Sequence, residues 1–233
     1  AQAVGAVAVP PGRLMVRQMS VGRPSTSRAG WRGARIRRFI GLGALITLTA
    51  CSPALDWREV RPPEAPGLQA LFPCRPDHAT RTVTLPSAAQ PLVMQMWSCQ
   101  TGDVTWALSQ VQVPDVTQVG PTLTALARVM QDNLQAASQL AGSQTPVGVV
   151  PLGPVQVRGM TPQPQAQGWR FQARRVDGWG RPLEMGVTAW HFAHGLQIFQ
   201  ASVSRPIGSK GTEPTAAAQD AESSFRDGFQ FPA

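Results

Sequence analysis

The chain has 233 residues, with 21 Lys and Arg against 13 Asp and Glu and a formal net charge of +8. Eight arginines (Arg13, Arg17, Arg23, Arg28, Arg32, Arg35, Arg37 and Arg38) and no acidic residue fall in 1–50, so 51–233 holds 13 basic and 13 acidic residues. The basic excess belongs to the leader alone, and the remainder, with its single lysine Lys210, offers no clustered basic face for nucleic acid.

In chain order, 1–50 reads as a leader. Met15 and Met19 both stand where translation could start, and Met19 gives a leader of usual length. The basic cluster ending in Arg37 and Arg38 precedes an apolar run from Phe39 to Leu48. A basic segment, a short apolar segment and small residues at a cleavage point make a secretory signal. About a dozen apolar residues are too few for a membrane span, which needs ~20. Arg37-Arg38 has poor flanks for a twin-arginine signal, so ordinary secretion is expected. Leu48-Thr49-Ala50-Cys51 resembles the lipobox of bacterial lipoproteins. The resemblance implies cleavage before Cys51, diacylglycerol on its sulfur, and a membrane partner reached through that lipid. Ser52 in place of Asp implies sorting to the outer membrane, on its periplasmic face. The other reading of Cys51 is a free or buried thiol.

Residues 51–67 include Pro53, Pro62, Pro63, Pro66 and Gly67, the composition of an extended tether, although Trp57 within it should pack on a surface. From 68 to 233 we expect one α+β domain, and the 183 residues of 51–233 are enough to bury close to ~70% of their unfolded surface without a metal or a disulfide. Alternation of apolar and polar residues predicts strands over 80–85, 92–99 and 104–113, with a hairpin turn at 100–103. Leu123, Leu126, Ala127, Met130, Leu134 and Ala137 form one apolar stripe at helical spacing, opened by Pro121 and closed by Gly142. Pro, Gly and Gln dominate 144–154 and 159–168, read as connectors around a short strand over 155–158. A meander over 169–176, 183–192 and 196–203 follows, then a loop over 206–214, a helix over 215–225 and a short strand flanked by Phe229 and Phe231. Without regular β-α-β alternation, this order predicts a mostly antiparallel sheet with helices packed on it.

Leu71-Phe72-Pro73-Cys74-Arg75-Pro76 resembles the entry motif of bacterial PsbP-like domains, and Ser224-Phe225 with Phe229-Gln230-Phe231 is similar to their closing pattern. The resemblance covers about 68–231 and departs from the family at Cys74, where Gly is common. It implies a central antiparallel sheet between helices and an accessory or assembly role without a shared catalytic set. No functional residue carries over from it.

Cys74 precedes the first predicted strand of the domain and Cys99 ends the second, so a hairpin sets them side by side. In an oxidising compartment they are expected to bridge rather than remain two reduced core thiols. His191 and His194, three apart across a strand end, face opposite ways, and His78 is remote, so no zinc site is expected. No Gly-x-Ser-x-Gly, Walker or dinucleotide loop is present, and Asp177 and Glu184 flank a turn as solvated groups, so neither a catalytic centre nor a cofactor is expected. Trp97, Trp106, Trp169 and Trp190 fall on strand faces as core. Trp179, beside Arg181 in the turn Asp177-Gly178-Trp179-Gly180-Arg181, either anchors an interface or folds back over the sheet edge.

The expected function is a non-enzymatic binding or assembly module for an envelope protein. The rivals are a module binding a lipid or small molecule, favoured by a large apolar cavity, and a periplasmic enzyme, favoured by converging His191 and carboxylates. Two or more acyl chains, at ~0.8 kcal/mol per buried CH₂, anchor a protein stably. Cys51→Ala is therefore expected to release the domain from membranes or stall processing. Intact-mass analysis that finds Cys51 unmodified in the parent would refute the anchor.

Overall fold

The computed structural model describes residues 55–208 and 215–232. Nine strands and two helices form an α+β fold: β1 (Arg58–Val60), β2 (Ala70–Phe72), β3 (Asp77–Val83), β4 (Leu92–Thr101), β5 (Val104–Gln112), α1 (Val119–Leu140), β6 (Gly148–Pro154), β7 (Gln167–Val176), β8 (Pro182–His194), β9 (Gln197–Pro206) and α2 (Ala216–Asp227). Seven strands make one sheet in the order β3-β4-β5-β9-β8-β7-β6, and every neighbouring pair is antiparallel. β1 and β2 form a separate two-stranded pair.

Alternation along the strands assigns the two faces of the large sheet. Trp97, Trp106, Leu108, Trp190, Phe192, Phe199, Ala201 and Val203 pack into one cluster with Phe72 of β2 and Phe225 of α2. Phe225 lies edge-on to Phe72 and to Trp106, both at 5.3 Å between ring centres, and to Phe229 at 5.0 Å. The opposite face meets α1. Val119, Leu123 and Leu126 pack with Val111, Val113 and Ile198. Met130 and Leu134, further along the same stripe, reach Phe171, Ala173, Val187 and Ala189.

Local chemistry sets the helix limits. The Asp115 carboxylate accepts the Thr117 N–H at 2.7 Å and caps the short turn Val116–Gln118 that leads into α1. α1 stops at Leu140, and Gly142 follows with φ of 78°, the left-handed conformation in which helices commonly end. Thr215 caps α2, accepting the Ala218 N–H at 3.2 Å.

Four expectations over the described residues need correction. The stretch to residue 67, expected as an extended tether, packs on the domain from Leu55 on: β1 pairs with β2, Ala65 is fully buried, and Trp57 stands edge-on to Trp106 at 6.5 Å. Its prolines shape a turn, with the Ala65 N–H donating to the Pro62 carbonyl at 3.1 Å. The supposed connector over 144–154 contains the edge strand β6, whose register shifts between Pro151 and Gly153. An edge strand bonds on one side only, so prolines that would break a central strand are tolerated there. The strand expected over 155–158 is absent, because Val155 and Val157 are buried in the aromatic cluster and Arg158 contributes only an isolated bridge. The last expected strand is likewise reduced to Gln230, which bridges Gln69 and Arg158.

Cys74 and Cys99 are joined by a disulfide with Cα atoms 5.9 Å apart, beside the paired residues Asp77 and Ser98. The bridge spans a separation of 25 residues. Closing such a loop restricts the unfolded chain by ~3–4 kcal/mol. Reduction is expected to cost about that much stability in urea denaturation. A Cys74→Ser, Cys99→Ser double variant as stable as the oxidised parent would rule that contribution out.

Candidate functional site

Cys51 and the lipobox lie outside the described residues, so the anchor remains a sequence-based expectation. The candidate interface residues Trp179 and Arg181 occupy the turn between β7 and β8. Asp177 organises that turn. Its Oδ1 accepts the Trp179 N–H at 2.8 Å and the Arg181 N–H at 2.9 Å, and its Oδ2 accepts the Arg181 Nε–H at 2.9 Å. The Arg181 backbone N–H is the strongest influence holding the carboxyl below its ordinary range, helped by the Trp179 N–H and the Arg181 guanidinium. The Asp177 N–H donates to the Arg181 carbonyl at 2.8 Å, closing the turn.

The Trp179 side chain does not fold back. It is 85% exposed, and the Arg181 side chain is 73% exposed. Val176 at the end of β7 is exposed beside the turn, whereas the exposed Val150 and Leu152 on β6 lie further along the same edge, level with Arg170 and Gly168. Gly148 pairs with Gln172, so the last residues of β7 have no outer strand beside them. α1 reaches this margin too, because its Ser138 hydroxyl accepts the Arg174 N–H at 2.8 Å. Leu140, at the end of α1, is 83% exposed.

The histidines do not converge. His191 faces the α1 side of the sheet, fully buried, with Nε2 3.1 Å from Gln200 Oε1. His194 stacks on Phe231 at 4.2 Å, and its Nδ1–H donates to the Gly159 carbonyl at 2.9 Å. His78 stacks on Trp97 at 5.2 Å. Asp177 is paired with Arg181 and Glu184 with Arg174, so the two carboxylates are separately engaged. Among the described residues no group of three or more His, Cys, Asp and Glu could hold a metal, and no helix is long and apolar enough to cross a membrane.

Two open clefts of about 580 Å³ each flank β7. One lies between α1 and the sheet, lined by Leu123, Gln131, Gln167 and Trp169 among others. The second lies on the opposite face, where Arg170, Trp190 and Arg205 meet the α2 residues Glu222 and Arg226. The sequence reading assigned Trp169 and Trp190 to the core and did not single out Arg170, Arg205 or Arg226. The available signal was strand parity: Arg170 and Gly168 alternate with Trp169, and Gly168 pairs with Trp190.

His191 ties stability to pH. Burial pushes its pKa from the ordinary 6.5 down to about 4, against smaller upward pulls from the Gln200 side chain and the Gln167 backbone. Above the unfolded value both states are neutral and the full stability is present. As pH falls below 6.5 the unfolded chain takes a proton that the folded chain refuses until about pH 4, so stability drops across that window. The full drop is about 3 kcal/mol. His191→Gln is expected to flatten this acid limb in urea unfolding compared between about pH 7 and about pH 4.5. An acid limb of equal slope in parent and variant would assign the loss to other groups.

No protein-family model and no curated protein matches the chain, so its function is read from its own residues.

Proposed function

We propose that the chain is a lipid-anchored lipoprotein of the periplasmic face of the outer membrane, and that its domain is a non-enzymatic binding module for an envelope protein. The observation that carries the binding role is Trp179, 85% exposed on a turn that Asp177 holds rigid. A large aromatic side chain on an ordered turn loses little conformational freedom on binding, and Trp and Arg are the residues most enriched at interface hot spots. Arg181 stands two residues away with its guanidinium already oriented by Asp177. Val176, three residues before Trp179 at the end of β7, adds an exposed apolar side chain beside them. The lipobox sequence Leu48-Thr49-Ala50-Cys51 supports the anchor.

We read the fold as PsbP-like. In support, one antiparallel sheet has α1 against one face and α2 with β2 against the other, and the segments that carry the resemblance meet: Phe72 packs on Phe225 at 5.3 Å. An accessory or assembly role follows from that reading.

Trp179→Ala is expected to change stability by less than ~0.5 kcal/mol, because the side chain lies outside the core. The same change should weaken capture of the envelope partner by more than ~1 kcal/mol, read by crosslinking in intact envelopes with the full chain. A variant that loses several kcal/mol of stability, or that captures the same partner undiminished, would overturn the interface.

A further inference from the structure

The large sheet ends differently on its two sides. At one end, β6 carries Pro151 and Pro154 and a register shift, features that obstruct a further strand. At the other end stands β3, with no proline and an unbroken register against β4 from Asp77 to Val83. Among the described residues no strand lies on its outer side. Asp77, His78, Ala79, Thr80 and Thr82 are exposed. Such an edge turns unpaired backbone N–H and C=O groups to solvent and is a template for another strand.

The charges on β3 indicate which strand. Asp77 and Arg81 are four residues apart, so both project from one face of the sheet. At roughly 3.3 Å per residue they stand about 13 Å apart, too far to pair with each other. β4 neutralises neither: Asp77 lies opposite Ser98 and Arg81 opposite Met94, and β4 contains no charged residue. Neither side chain has an ion-pair or hydrogen-bonded partner among the described residues. An edge charge deters any strand that cannot neutralise it. One acid and one base placed evenly about Ala79 are matched by the same strand running the other way.

Antiparallel pairing of two copies about a two-fold axis at Ala79 sets Asp77 opposite Arg81 of the second copy, and Arg81 opposite Asp77 of the second copy. Opposite charges at directly facing positions stabilise a strand pair, and like charges destabilise it. The same register places His78 opposite Thr80 and Ala79 opposite itself, so no two bulky side chains collide. An axis at Thr80 lengthens the overlap but leaves Asp77 facing Val83 and Arg81 facing Ala79. An axis at Arg81 sets two guanidinium groups against each other.

We propose that β3 is a dimerisation edge for a second copy of this chain, paired antiparallel about Ala79 and held by two Asp77–Arg81 ion pairs, so that two seven-stranded sheets become one. The interface is isologous and uses up the β3 edge of both copies, while the prolines of β6 obstruct the far ends, so assembly closes at two copies. The overlap is short, which makes the association weak and concentration-dependent. The turn that carries Trp179, between β7 and β8 toward the other end of the sheet, stays free in the dimer.

The test is sedimentation velocity of the purified full chain from about 10 μM to about 1 mM. The parent should shift reversibly from monomer to dimer across that range. Asp77→Arg and Arg81→Asp each set like charges opposite one another at both positions, and each should weaken the dimer about tenfold or more. Mixed in equal amounts, the two single variants regain both attractions and should form a heterodimer about as tight as the parent dimer. The double variant Asp77→Arg, Arg81→Asp should likewise recover self-association. Recovery in the mixture also shows that the single variants are folded. A parent that stays monomeric to about 1 mM would overturn the proposal and leave the edge to a strand of a different protein. Single variants that dimerise undiminished, or a mixture that associates no better than its components, would overturn it as well.

Discussion

Phe225 is the contact on which most of the architecture depends. It is fully buried and touches Phe72 of β2, Trp106 of β5 and Phe229 beyond α2. α2 has only 12 residues, and isolated helices shorter than roughly 12–15 residues are marginal in water. Its helicity therefore rests on docking through Phe225 and Ala221, with Glu222 paired to Arg205 of the sheet. A buried Phe at such a position contributes about 3–5 kcal/mol, counted as the cost of truncation to Ala. The same docking raises the wall of the cleft, because Glu222 and Arg226 flank Phe225 in α2.

The turn that carries Trp179 and the cleft against α2 lie at different points along the β6–β7 edge of the sheet, and the edge explains both. A central strand such as β9 has its hydrogen bonds satisfied on both sides and both faces covered, which leaves alternating side chains little choice but burial. β6 has one neighbour, two prolines and a shifted register, so it can turn Val150 outward and Leu152 toward the cleft. Prolines on an edge also remove donors that an intruding strand would need. The proposed recognition at this margin would therefore use side chains such as Trp179 rather than strand addition.

The electrostatics are local. Arg174 pairs with Glu184, Arg181 with Asp177, Arg205 with Glu222 and Arg226 with Asp227, each between residues close in sequence or on adjacent elements. Apart from the largely buried Arg205–Glu222 pair, these are exposed or partly exposed and contribute little to stability, about 0–1 kcal/mol. Their effect is to orient guanidinium groups, which matters at the turn. His191 is the opposite case: a buried group without a carboxylate partner, held neutral by desolvation.

Amino-acid pattern alone determined most of the elements: the α1 stripe, the β4–β5 hairpin, the β7–β9 meander, the Cys74–Cys99 pairing and the turn that carries Trp179. Each rests on short-range periodicity, on turn chemistry, or on two residues that one hairpin brings together. Tertiary structure decided the rest. β6 could not be seen as a strand because Pro151 and Pro154 forbid a central position, and only the assembled sheet supplies an edge. The segment from Leu55 to Gly67 reads as tether because its prolines dominate the composition, yet Trp57 and Ala65 find partners in Trp106 and the aromatic cluster, far along the chain. The outward pose of Trp179 depended on Asp177 accepting two backbone N–H groups at once, a geometry no spacing rule supplies. The cleft gathers Arg170, Trp190, Arg205 and Arg226 from four elements. Their proximity comes from strand register and from the docking of α2 through Phe225, and neither exists until the chain has folded.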